Sequence, residues 1–459
     1  MKKFLLIETF PETPHIETSV EIALNLKKSG NEVFFYWCGY DLPWVDWELP
    51  LYKKLLLFSY KKKISRIENY LEKRDVLVVG KFNLTEDTNK YIDSVVNNFK
   101  DYSRIKYFKY KKKIPLGLAV HSSLVSKFND ENIYNHSKEI SSSLKSSCIV
   151  YERSQTIIKN INPDRVITFN SRFSISKPII EAAKNQKKIF FIHERGSNLN
   201  KYEIFNDDIF DYNYIFRRIN QYWKKNKDIN IKKKISKKYF TLIEKKKFFL
   251  NQGYNFEIKS NRKNISLDGK KKLITFLCST DYEYQSTHND IKKFFLNKKW
   301  SNQINVIKSI IKIIKNHKNT ILYIKSHPNF SSNKIQEKEL QKLQKDNVIY
   351  LPVKKKIDVI NLIKNSEVII TFGTTLELYA LIINKPVISF FKSFYYNFKL
   401  VIHPKNESHL KKLLNNKIKI NKVDKLKLFK ISYYLMVFGI KYKFYKPISF
   451  SRGYLTKIL

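Results

Sequence analysis

The sequence predicts an α/β protein of two domains, each built on a parallel sheet. Three observations carry that expectation. The chain has 459 residues, long for one domain and natural for two. Short runs rich in Ile, Val, Leu and Phe recur in both halves, separated by segments of helical spacing, as in strand–helix–strand units. Each run stops at small or polar residues, as a strand buried on both faces does when it hands over to a loop at its carboxyl end.

Phe4–Thr9 reads as the first strand, followed by the loop Phe10–Ile16 and a helix over Thr18–Lys28. Val20, Ala23 and Leu24 share one face of that helix, and Ser29-Gly30 close it. Val33–Cys38 is the second strand. This opening is Rossmann-like but lacks G-x-G-x-x-G, so a dinucleotide site is not expected here. His15 and Glu17 stand where the first strand ends. The aromatic stretch Tyr40–Pro50 reads as a packed loop, Asp75–Gly80 as a third strand, and residues 83–160 as mainly helical. Asp164–Asn170 is the next strand, with the loop Ser171-Arg172-Phe173 and a helix over Pro178–Lys184. Lys188–Ile192 follows and ends in His193-Glu194-Arg195-Gly196-Ser197. Asn170, Arg172, His193, Glu194 and Arg195 therefore fall at neighbouring strand ends. Such a cluster is costly to bury unpaired: it is a salt-bridged knot, or it meets an anionic ligand. Strand carboxyl ends in open α/β sheets favour the ligand. Residues 205–260 are basic and helical, and the polar stretch 259–271 is the expected linker after a first domain of residues 1–258.

The second domain, residues 272–430, opens with the strand Lys272–Leu277 and the loop Cys278-Ser279-Thr280-Asp281-Tyr282-Glu283-Tyr284. Ser279 and Thr280 are candidate phosphate contacts. Asp281 and Glu283 alone are weak grounds for a metal pair. Trp300–Ile314 is an amphipathic helix. Ile321–Ile324 then feeds Lys325-Ser326-His327-Pro328-Asn329, and Glu367–Thr371 feeds Phe372-Gly373-Thr374-Thr375-Leu376-Glu377, before the apolar run Pro386–Phe390. Gly373 lets backbone approach a ligand, Thr374 and Thr375 offer hydroxyls, and the free amides of a helix start favour an anion. The same residues fit a capping box, in which Glu377 only holds the Thr374 amide. The expected donor site joins the His327 loop and the Gly373 turn on adjacent strand tips. Residues 431–459 are expected to form a helical tail packing back on the first domain.

His327-Pro328 after a basic strand end, then Gly373-Thr374-Thr375-Leu376-Glu377 and Lys385-Pro386-Val387-Ile388, resemble the capsule polysaccharide biosynthesis transferases. These are GT-B-type enzymes similar to bacterial Kdo transferases. Asn170-Ser171-Arg172-Phe173 and His193-Glu194-Arg195-Gly196 resemble their first domain. Ser279-Thr280 resembles a Ser-Ser loop of the family, although Tyr282 separates the two acids in a way the family does not. His-Pro pairs occur also in bacterial sialyltransferases and teichoic-acid glycerophosphate polymerases. The resemblance implies a GT-B-like fold, two Rossmann-like domains whose parallel sheets face a central cleft. It implies transfer of a sugar from a nucleotide-activated donor, CMP-linked or carried by another nucleotide, to a polysaccharide or lipid-linked glycan acceptor of capsule or lipopolysaccharide. Donor contacts would be Ser279, Thr280, Lys325, Ser326, His327, Gly373, Thr374, Thr375 and Glu377. Acceptor-side groups would be Asn170, Arg172 and Arg195. Glu194 is the first candidate acid or base, with Asp281 and His15 behind it, and His193 joins the catalytic group as an orienting partner or a phosphate contact. No cofactor and no metal are expected. A CDP-alditol phosphotransferase would share the His-Pro loop, and a non-catalytic polysaccharide-binding protein would share the fold.

Lys and Arg number 87 against 41 Asp and Glu, a formal charge of +46. An anionic partner follows: nucleic acid, an acidic membrane or an anionic polysaccharide. Roughly half of the excess is assigned to the codon bias of an AT-rich genome, with solvated lysines on helix faces. The lysines form no dense arm, and no nucleic-acid module is recognised. Cys38, Cys148 and Cys278 are far apart and suit a reducing compartment. Glu8 ends the first apolar run too early for a signal peptide. The longest apolar run, Ile431–Ile440, falls short of the roughly 20 residues of a membrane span but can lie on a membrane surface. A cytoplasmic protein is expected, free or at the inner face of the membrane.

Overall fold

Alternating apolar strands and amphipathic helices close into two sheets, as the sequence led us to expect. The structure, a computed structural model, describes residues 1–46, 53–130, 132–245, 271–280, 284, 286–287, 297–317, 319–328, 334–355, 357–415 and 423–456. The first lobe runs β1 (Lys3–Glu8), α1 (His15–Lys28), β2 (Glu32–Trp37), α2 (Lys53–Glu72), β3 (Leu77–Val79), α3 (Glu86–Asn98), α4 (Gly117–Phe128) and α5 (Ser137–Ile161). It continues through β4 (Arg165–Phe169), α6 (Lys177–Asn185), β5 (Ile189–Arg195), β6 (Lys201–Phe205), α7 (Tyr212–Lys225) and α8 (Ile229–Glu244). The second sheet comprises β7 (Lys272–Leu277), β8 (Thr320–Lys325), β9 (Val348–Leu351), β10 (Val368–Thr371) and β11 (Val387–Ser389). Three short strands end the chain: β12 (Ile440–Lys441), β13 (Tyr445–Pro447) and β14 (Gly453–Leu455).

In the first sheet the order is β12-β6-β5-β4-β1-β2-β3, and in the second β11-β10-β7-β8-β9. Strands β3 through β5 are parallel neighbours, and the second sheet is parallel throughout. Period-2 side-chain alternation builds one core on each face of the first sheet. Leu5 and Ile7 of β1 enter one cluster, with α3, α4 and α5 residues such as Ile92, Leu124 and Ile158. Phe4 and Leu6 enter the other, against Val20 and Ala23 of α1 and Leu71 of α2. A third cluster joins the lobes. Ile219 of α7 and Tyr239 and Phe240 of α8 pack with Leu277, Tyr379 and Tyr395 of the second lobe and with Leu428 and Ile431 of the last helix, Lys425–Val437.

Three expectations need correction. The stretch Lys201–Phe205 forms β6, antiparallel to β5, although its short, charge-bearing sequence KYEIF did not read as a strand. The tail is not helical throughout: the helix ends at Val437, and Gly439, at φ +102°, turns the chain so that β12 pairs antiparallel with β6. A side chain at that glycine would meet the Tyr202 carbonyl at 2.8 Å, so the turn excludes other residues. Third, β8 and β10 are not neighbours, because β7 lies between them. The expected linker 259–271 lies outside the described residues up to its last residue, Lys271. Among the described residues, no helix is long and apolar enough to cross a membrane.

Candidate functional site

Three adjacent strands of the first lobe, β1, β4 and β5, deliver their carboxyl ends to one edge. His15, at the start of α1, stacks on Phe169 with ring centroids 3.8 Å apart. Burial, reinforced by the charges of Arg195, His193 and Lys63, holds its pKa well below the ordinary value, so the imidazole is neutral. The loop that carries it is tied down by Lys63 of α2, whose ammonium donates to the Pro11 carbonyl at 2.7 Å and to Thr13 at 2.9 Å and pairs with Glu17 at 2.7 Å.

His193 is buried, and its Nε2 lies 2.8 Å from both Glu8 Oε1 and Ser19 Oγ. Ser19 Oγ donates to the same carboxylate at 2.6 Å. His193 is therefore an internal tether rather than a group open to substrate, which corrects the phosphate contact and leaves the orienting role. Its neighbour Glu194 points the other way, as strand alternation requires. Asn170 Nδ2 donates to Glu194 Oε1 at 2.6 Å. Burial raises the Glu194 pKa, against the lowering pull of His193, the Asn170 hydrogen bond and Arg195. Asn170 sits at φ +47° and accepts from the Arg172 amide at 2.7 Å, forming the turn that presents Arg172. Arg195 is covered by the end of the chain: its guanidinium lies 3.2 Å from the Phe450 ring centroid and donates to the Phe450 carbonyl at 3.4 Å.

In the second lobe, β10, β7 and β8 end level with one another, since Thr371 is in register with Leu277 and Leu277 with Lys325. Ser279 donates to the Gly373 carbonyl at 3.1 Å, and Tyr284 hydrogen-bonds both the same carbonyl and Ser279. Gly373 has φ +83°, and an added Cβ would lie 2.9 Å from the Tyr284 hydroxyl and 3.0 Å from Phe391. The turn and the aromatic packing each require glycine here. Thr280 Oγ1 is buried with no hydrogen-bond partner among the described residues. Lys325 and His327 are half-buried and Thr375 is exposed at the strand ends.

Three expected donor contacts are spent on the fold, the first being buried Ser279 with its bond to the Gly373 carbonyl. Ser326 is buried and its hydroxyl donates to the Leu351 carbonyl of β9 at 3.0 Å. Glu377 is fully buried and accepts from Thr371, from Ser389 at 2.9 Å and from Tyr395 at 2.5 Å. It also holds the Thr374 amide, the capping-box alternative. Burial raises the Glu377 pKa against those bonds. Asp281 lies outside the described residues.

Contact between the two edges runs through Arg172. Its Nη1 donates to Ser286 Oγ at 3.4 Å, across from the first lobe to the loop after β7. Tyr284 of that loop tilts over Phe391 at 4.1 Å between centroids. Ser286 and Tyr284 were not among the candidates, nor were Glu8 and Ser19. Nothing in their local sequence distinguishes them from ordinary loop, strand and helix residues.

No protein-family model and no curated protein matches this chain. Similar solved structures include the beta Kdo 2,4 transferase KpsC of Thermosulfurimonas dismutans, at 12% identity over 59% of this chain and 79% of that one, with a TM-score of 0.38. A putative UDP-N-acetylglucosamine 2-epimerase from Listeria monocytogenes is similar at 13% identity over 96% and 94%, with a TM-score of 0.30. The UDP-GlcNAc 2-epimerase of Neisseria meningitidis, bound to UDP-GlcNAc, is similar at 11% over 95% and 96%, with a TM-score of 0.26. At these identities and TM-scores they assign this chain no activity.

Proposed function

We propose that this chain is a glycosyltransferase that moves a sugar from a nucleotide-activated donor to a surface glycan. The observation that carries the reading is the joining of two polar strand-end clusters, one per lobe, through Arg172 and Ser286. A two-substrate reaction needs such an arrangement, with a donor on one lobe and an acceptor on the other. As the glycosidic bond breaks, negative charge develops on the departing phosphate. Lys325, His327, Thr280, Thr374 and Thr375 are the groups that would meet it. They stand on strand ends spread over about 10 Å, two strand spacings, a span suited to a sugar phosphate or diphosphate. Glu194 would take the proton of the acceptor hydroxyl, its basicity raised by burial and its carboxylate aimed by Asn170. Neutral His15 and the Asn170–Arg172 turn would orient the acceptor. No resident metal is invoked in this scheme.

Thermal-shift measurements with CMP, CDP, UDP and GDP test the donor half. One of them is expected to raise the melting temperature of the wild-type chain by linkage, and His327→Ala to abolish that shift while the unliganded variant melts as wild type. A nucleotide shift undiminished in His327→Ala removes the donor site as drawn. Release of CMP with phosphate passing to the acceptor would replace sugar transfer by phosphoalditol transfer.

A further inference from the structure

Outside the two strand-end clusters, a cavity of about 590 Å³ opens between α2 and the C-terminal hairpin β13–β14. Its charged walls are Lys62, Lys63 and Arg66, facing one carboxylate, Glu17. That carboxylate is already taken by Lys63 at 2.7 Å and Thr13 at 2.9 Å. Lys62 and Arg66 are exposed, and neither has an ion-pair partner among the described residues. They are one helical turn apart on α2, so their side chains project from the same face. Ser59 adds a hydroxyl to that face of the cavity. The remaining wall is aromatic. Phe58 is 68% exposed and Tyr454 is 57% exposed, each far more than its chemistry favours.

We propose that this cavity binds a phosphate ester, the phosphate between Lys62 and Arg66 and the organic part against Phe58 and Tyr454. An arginine fork and an ammonium across one helical turn match a tetrahedral oxyanion, with the guanidinium giving paired hydrogen bonds and the ammonium a point charge. Aromatic faces beside the cations suit a polyol or the glycerol region of a lipid. The shared chemistry is a phosphate ester of a small polyol; its source is either a soluble ester or a phospholipid headgroup. The site stands on α2 and the hairpin and does not depend on the transferase reading.

Two probes separate the sources: glycerol 1-phosphate by titration calorimetry, and phosphatidylglycerol vesicles by co-sedimentation against phosphatidylcholine vesicles. Since the chain carries +46, a charge-matched control is needed. Lys234 and Lys238 are exposed on α8 and also one turn apart. Lys62→Glu/Arg66→Glu is expected to weaken binding of at least one probe tenfold or more, and Lys234→Glu/Lys238→Glu less than twofold. Phe58→Ser/Tyr454→Ser should weaken the same probe severalfold. Loss for glycerol phosphate identifies a soluble ester, and loss for vesicles alone identifies the headgroup. Should the charge reversal lower the melting temperature, Lys62→Ala/Arg66→Ala replaces it. Equal loss in both charge-reversed pairs, or no binding of either probe, overturns the proposal.

Discussion

At the scale of single residues, two glutamates at strand ends divide structure from chemistry. Glu377 and Glu194 are both pushed up in pKa by burial. Glu377, however, spends its oxygens on Thr371, Ser389, Tyr395 and the Thr374 amide. Glu377→Ala leaves those donors unmatched in a closed interior and is expected to cost about 3 kcal/mol, read by denaturant unfolding. A raised carboxyl pKa means that the fold favours the protonated form. The stability from this group is full below the ordinary glutamate range and lost as pH rises through the raised value. Among the described residues, Glu194 has one side-chain hydrogen-bond partner, Asn170. As the proposed base it must be ionised, so kcat/KM is expected to fall as pH drops through its pKa, at a pH above the ordinary glutamate value of about 4.3. Glu194→Gln should lower kcat by about 100-fold and remove that acid limb, with nucleotide affinity unchanged. A variant that loses only nucleotide affinity would place Glu194 on the donor side instead. The pairs of strand loops that carry these residues were legible from local sequence. The partners that decide which glutamate is spent lie 12 or more residues away, at Ser389, Tyr395 and Asn170, and only folding brings them in.

At the scale of elements, the end of the chain depends on α1. Glu21 of α1 is fully buried and accepts from three successive backbone amides, Lys443 at 2.8 Å, Phe444 at 2.6 Å and Tyr445 at 3.0 Å. Tyr442 shares a 2.7 Å hydrogen bond with Thr18 of the same helix. A carboxylate taking three amide hydrogens is a charge-assisted anchor. Glu21→Ala is expected to destabilise the protein by about 3 kcal/mol and to open residues 438–456 to protease before the rest. Cleavage spread evenly over the chain would show that the segment is held by other contacts. Periodicity along α1 marks Val20, Ala23 and Leu24 as its buried face, but it assigns no role to the acidic residue among them. The amides that Glu21 meets are more than 400 residues distant.

Over the whole molecule, the lobes share an apolar interior. Phe240 and Tyr239 of α8 touch the same cluster as Tyr379 and Tyr395 of the second lobe. Separate unfolding of the lobes would expose that surface, so calorimetry is expected to show one transition. Phe240→Ala should lower it as a unit, at a cost of about 3 kcal/mol. Two resolved transitions, with only one shifted by the variant, would mean that the lobes are energetically independent. The strong positive charge, +46 over the chain, acts on this scale too and favours anionic partners of any kind. The α2 cavity is where that general attraction acquires shape.

By itself the sequence determined the α/β class, the two sheets and the loops that hold the candidate site, because strand burial and strand-end polarity are local patterns. It missed β6 and the strand ending of the tail, since Lys201 and Glu203 break the apolar run of the one and the other has only two residues. Only the tertiary structure decided that β7 separates the His327 loop from the Gly373 turn and that His193, Ser326 and Glu377 serve the interior. It alone decided that Arg172 reaches Ser286. Strand order and buried hydrogen bonds join residues remote along the chain, and no local pattern encodes which distant partner a side chain will meet.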